Sequence, residues 1–199
     1  MPDIVFIFYI QTKTIVMKKW IIGTLVGAIL VFAWQFLSWS LLGIHKDAVK
    51  YHPAQDSIIN YLSSTITEDG SYMLPTGKPG TPRKEHEEMM KQMEGKPWAT
   101  IIYHNEAHFS MIRPIIRGFL VDLFLVFSLI YILTRAGIPT ATRVFAGSVA
   151  VGLFTFLWGP YTGHNWFHLP MDMIKGDLID AIAAWGLCGL WLGWWLNRK

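Results

Sequence analysis

The sequence predicts an all-α membrane protein: four transmembrane helices, with a small extracytoplasmic α+β cap between the first and second spans. Three observations carry this expectation. The stretch Trp20–Ile44 runs for twenty-five residues without Asp, Glu, Lys, Arg or His. As a helix it would reach roughly 37 Å, enough to cross a hydrocarbon core of ~30 Å with some tilt. Charged residues make up 16% of the chain and hydrophobic ones 52%, with a mean hydropathy of +0.34. Soluble domains carry about 25% charge. Finally, three further apolar runs follow, and Lys and Arg gather in the flanks that a four-span chain places on one side.

Residues 1–19 form an N-terminal segment whose apolar piece Ile4–Ile10 is too short to span. Residues 1–16 read either as a start-site extension or as a short interfacial segment. No small-residue cleavage site follows the long apolar run from Trp20, so the first span (20–44) reads as an uncleaved anchor.

The cap, 45–110, is the longest polar region. Pro53 suits the first turn of a helix running to Ile66. Glu68–Pro82 holds three glycines and three prolines and reads as loop, with a short strand near Ser71–Leu74. Pro82 opens a second helix, Arg83–Glu94, closed by Gly95 and Pro97. Trp98–Tyr103 is β-like in composition. Large aliphatic residues are few here, so the cap is expected to rely on the membrane helices for stability.

The second span is expected over 111–134, a cytoplasmic turn over 135–143 and the third span over 144–161. An extracytoplasmic loop follows at 162–176, then the fourth span at 177–196 and a cytoplasmic end at 197–199. Lys18, Lys19, Arg135, Arg143, Arg198 and Lys199 then share a side, which the positive-inside rule assigns to the cytoplasm. Both termini are cytoplasmic in this topology, and the cell (inner) membrane is the expected location. Trp20, Trp194 and Trp195 mark the inner interface, and Trp39, Trp158 and Trp166 the outer one. Gly23/Gly27 and Gly189/Gly193 are Gly-x-x-x-Gly pairs, with Ser148/Gly152 a looser small-residue pair. Such pairs let backbones approach, either within the chain or across a homo-oligomer seam.

Two constellations could carry chemistry. His104-Asn-Glu-Ala-His108 and His164-Asn-Trp-Phe-His168 share the form H-N-x-x-H. A helical turn would put each pair of imidazoles on one face. With Glu106 or Asp172 nearby, four imidazoles would suit a divalent transition metal such as zinc or iron, or copper. Methionines such as Met89, Met93 and Met171 would favour Cu(I), although Met89 and Met93 also suit the apolar face of a helix. Histidine equally suits a membrane interface, having an apolar body and a polar tip.

The second constellation is ionic. Arg113 and Arg117 stand at the outer end of the second span, Asp122 lies about 7 Å deeper, and Asp177 and Asp180 stand at the outer end of the fourth. Charges at such depth normally face other helices and pair. The expected pair is Arg117 with Asp180 or Asp122, as a structural clamp or as a pocket for a lipid headgroup or small anion.

Other classes are excluded or thin. Net charge is only +3 with no basic run, so nucleic acid is not an expected partner. Cys188 is the single cysteine, lies in an apolar stretch and can form no intrachain disulfide. Membrane desaturases use more histidine boxes than this chain has. Pro160-Tyr-Thr-Gly-His164 resembles the Pro-Ser-Gly-His box of membrane lipid phosphatases only loosely, and the companion boxes are absent. No P-loop, GxSxG or HExxH motif is present. The expectation is a non-enzymatic accessory subunit, or a component binding lipid or another membrane protein at its extracytoplasmic face. The alternatives are a metal-handling membrane protein using His104, His108, His164 and His168, and a membrane-embedded lipid-modifying enzyme using the ionic cluster.

Overall fold

A computed structural model gives the structure of residues 2–135 and 137–198, with side chains described from Met17 onward. The chain is 68% helical, with one two-stranded sheet. It divides into two compact units, one formed by 1–50 and 110–199 and the other by Tyr51–Phe109.

The first unit holds four helical stretches long and apolar enough to cross a membrane: Met17–Ser40, Ile112–Thr134, Ala141–Phe167 and Met171–Asn197. Helix α1 runs from Pro2 to Ser40, so residues 2–16 continue into the first span without a break; their side chains lie outside the described residues. It stops at Ser40 rather than at the expected Ile44, and Gly43 turns the chain back with a positive φ of 61°. Only glycine adopts that region without cost.

In the second unit, α2 (Gln55–Thr65), β1 (Gly70–Leu74), α3 (Arg83–Met93) and β2 (Ala99–Tyr103) fall close to where composition and punctuation put them. The strands pair antiparallel, with Gly70 opposite Tyr103 and Leu74 opposite Ala99.

Helix α4 (Ile112–Thr134) carries Pro114 in its first turn, where a missing N–H costs nothing. Helix α5 (Ala141–Phe156) does not end at Pro160. One wide π turn, Leu157–Tyr161, absorbs the proline, and α6 (Thr162–Phe167) continues the rod. A π turn widens the ladder where a proline removes a donor, and Thr162 Oγ donates to the Leu157 carbonyl at 3.0 Å. His168 then reverses the chain with φ 54°, and α7 (Met171–Asn197) begins at once. The expected loop over 162–176 is thus mostly helix, and the fourth long helix starts six residues before Asp177.

The long helices pack in the order α4, α1, α7, α5, with α4 and α5 meeting only at a few residues. Their core gathers Ala28, Val31, Val126, Ile130, Val144, Ala184, Cys188 and Leu192. Small residues set the spacing within the chain. Gly27 faces Val126 and Cys188, and Gly189 lies against Ser148. Gly152 faces the Ala181 carbonyl so closely that no Cβ fits there.

Candidate functional site

The end of α1 is fastened to α7 by one carboxylate. Asp180 Oδ1 accepts from the Trp34 indole N–H at 2.9 Å and from the Ser38 hydroxyl at 2.6 Å. Its Oδ2 meets His45 Nε2 at 2.9 Å. Trp34 and Ser38 are one helical turn apart on α1, so both tips reach the same point. His45 reaches it because the Gly43 turn folds the chain back over the helix end. The imidazole is stacked on Trp39, with centroids 3.9 Å apart and planes within 7°. Its other neighbour is Gly176, one turn before Asp180 on α7. The His45 side chain is 3% exposed, and its Nδ1 is buried without a partner. Three donors on one carboxylate satisfy it far better than a single distant cation would.

This arrangement is not that of an activated nucleophile. Ser38 and His45 both bind Asp180, and the serine proton is directed at the carboxylate. Nucleophilic catalysis needs the base on the hydroxyl and the acid behind the base.

Beside this anchor lies an open groove of about 650 Å³. Its floor comes from α1 and α7. Its walls come from α4, through Met111, Pro114, Ile115 and Gly118, and from the α5 side, through Thr155, Phe156 and Pro160. These walls touch where Leu133 meets Gly147 and stand apart across the groove at their other ends. The lining is aromatic and aliphatic except for Gln35, Ser40, Thr155 and the two carboxylates Asp177 and Asp180. Asp177 is half-buried and makes no hydrogen bond or ion pair among the described residues. Gln35 donates to Asp122 Oδ1 at 3.3 Å, while Asp122 Oδ2 is buried without a partner.

The expected ionic pair does not form. Arg113 and Arg117 are exposed and take part in no ion pair among the described residues. At about 100° per residue, the groove-lining positions of α4 share one face, and the two arginines lie roughly 110–150° away from it. Asp122 is near the groove face and turns inward. The physical reason is solvation: a long guanidinium reaches the interface at small cost, whereas a short carboxylate must find donors nearby. Sequence reasoning found Asp122, Asp177 and Asp180 as interior polar groups but missed Trp34, Ser38 and His45. The readable signal was Trp34-x-x-x-Ser38, two hydrogen-bond donors on one face of an otherwise apolar helix.

The histidine pairs also differ from expectation. His104 and His108 follow β2 in a loop rather than a helical turn. His104 Nδ1 meets Asp69 at 3.2 Å, and His108 meets Glu106 at 3.6 Å on the surface. The Asn105 backbone N–H, at 2.9 Å, and then His104 hold the Asp69 carboxyl below the usual carboxylate range. His164 Nδ1 donates to the Leu169 carbonyl at 2.6 Å, while His168 forms the left-handed reversal, so the two rings do not share a helix face. Asp172 instead engages Lys50 and Lys175. Lys175 also binds Asp47 at 2.9 Å, and its ammonium lowers that carboxyl. Among the described residues no three His, Cys, Asp or Glu side chains gather as a metal site would need.

No protein-family model, no curated protein and no solved structure matches the chain, so the reading of this site rests on its own geometry.

Proposed function

We propose that the chain is a non-enzymatic integral membrane component whose groove between α4 and α5 binds a lipid, with both termini in the cytoplasm. The groove carries this reading. It is open, apolar over most of its wall, large enough for part of an acyl chain and headgroup, and charged only at one end. From Asp177 to Trp185 the α7 side runs about 12 Å along the helix, with the carboxylates at the mouth and Ala184 and Trp185 deeper. That gradient matches an amphiphile entering from the membrane.

The same-side termini are supported by contacts. Lys19 Nζ donates to the Leu196 carbonyl at 3.3 Å, and Asn197 donates to the Pro139 carbonyl at 3.1 Å. The basic flanks therefore sit at one end of the helices, as the positive-inside rule requires. The cap at 51–109 then belongs outside.

The test is a groove-filling substitution. A Cβ at Gly118 meets only Phe32, at an ordinary 3.8 Å, and Gly118 lines the groove, so Gly118→Leu is the substitution expected to fill it. Native mass spectrometry of protein purified in mild detergent should show co-purified lipid on the wild type and little on Gly118→Leu. Equal lipid on both would overturn the reading.

A further inference from the structure

We propose that this groove selects an amphiphile whose headgroup carries an ammonium. The inference rests on the lipid-binding reading and adds the chemistry of the head.

The charge at the mouth has one sign. Asp177 and Asp180 line the groove, and no Lys, Arg or His does. Asp180 already accepts from Trp34 and Ser38 and meets His45, which leaves Asp177, with His45 as its nearest opposite charge, as the carboxylate that has no hydrogen bond or ion pair among the described residues. The nearest fixed cations on α4, Arg113 and Arg117, are turned away from the groove, so neither can serve Asp177 or hold an anionic phosphate there. Lys175, two residues before Asp177 on α7, is committed to Asp47 and Asp172. A half-buried carboxylate without a donor is poorly solvated, and a bound ammonium would supply both charge and hydrogen bonds.

Two further features of the mouth fit the same head. Phe36 and Trp39 line it. Trp39 has one face on His45 yet is 61% exposed, and aromatic faces attract cations. Ser40 and Gln35 add neutral polar groups to the lining. An anionic lipid would meet two carboxylates in the lining, and the imidazole behind them, His45, is already bonded to Asp180. The stack on His45 and the three bonds to Asp180 keep this mouth in one geometry before any ligand arrives, which lowers the ordering cost of binding.

The experiment compares single-chain lipids of equal chain length on full-length protein in neutral micelles, read by native mass spectrometry. The probes are lysophosphatidylethanolamine, lysophosphatidylglycerol and a simple alkylamine. Wild type should hold lysophosphatidylethanolamine about fivefold over lysophosphatidylglycerol, the upper range for one partly exposed charge pair. Asp177→Asn should bring that ratio close to one while total binding persists. Arg117→Gln should leave it unchanged. Preference for the alkylamine as well marks the ammonium alone as the recognised group. Preference for lysophosphatidylethanolamine but not for the alkylamine marks a zwitterionic headgroup that still needs its ammonium. A wild-type preference for lysophosphatidylglycerol, or an unchanged ratio in Asp177→Asn, would overturn the proposal. Gly118→Leu separates the two levels: if it removes both lipids but Asp177→Asn leaves the ratio intact, the groove binds lipid without selecting an amine. If Gly118→Leu removes neither, the groove is not the site.

Discussion

Gly176 lies directly against the ring of His45: a Cβ at this position would stand 2.6 Å from both Nδ1 and Cε1. The glycine leaves the space in which the imidazole reaches Asp180. Gly176→Ala should therefore destabilise the protein by about 1–3 kcal/mol through overpacking. In a His45→Ala background the same change should be neutral or gain up to about 1 kcal/mol, because alanine favours helix over glycine. Thermal unfolding in detergent across the four variants checks this, and equal effects in both backgrounds would show that the ring and the glycine do not compete.

Asp180 and Arg117 should behave independently. Arg117→Leu should change stability by less than about 0.5 kcal/mol, as for an exposed unpaired side chain. Asp180→Leu strands Trp34, Ser38 and His45 and should cost about 3 kcal/mol or more. The double variant should be additive within about 0.5 kcal/mol, whereas His45→Leu with Asp180→Leu should not be. A strong coupling between Arg117 and Asp180 in the double-mutant cycle would contradict the geometry.

The loop after β2 should respond to acid. Asp69 has its carboxyl lowered by the Asn105 N–H and by His104, so its ionised form favours the folded loop. That contribution is present above the ordinary value of 3.8 and is lost as pH falls through the lower folded-state value. The Asn105 amide resonance should move with a midpoint below 3.8. Asp69→Asn should abolish the movement, and a midpoint at or above that value would show that the bonds to Asp69 are not maintained in solution.

Much of the architecture was legible because apolar runs and their punctuation are local signals. The four long helices, α2, α3 and both strands all announce themselves within a dozen residues. The ends were harder. Ser40 stops α1 because Gly43 turns, although the apolar run continues to Ile44. Polar residues from Thr162 to Asn165 look like loop, yet the rod continues because a π turn accommodates Pro160. At the site, Asp177 and Asp180 were visible as costly charges, but their partners were not. His45 and Asp180 are 135 residues apart, and the donors beside them are a tryptophan and a serine. Charge alone pointed to Arg117, whereas geometry favours short neutral donors on the facing helix.

The packing order α4, α1, α7, α5 bears on biogenesis. Helix α5 leans on α7, which follows it in the chain, and meets α4 at only a few residues. A ribosome therefore makes α5 before its main neighbour exists. Until α7 arrives, Gly152 and Ser148 lack the neighbours Ala181 and Gly189. Asp180 travels on that same helix, so the Trp34–Ser38–His45 anchor closes only after α7 has been made. Loss of α7 would leave α1 and α4 still paired and α5 without its main neighbour.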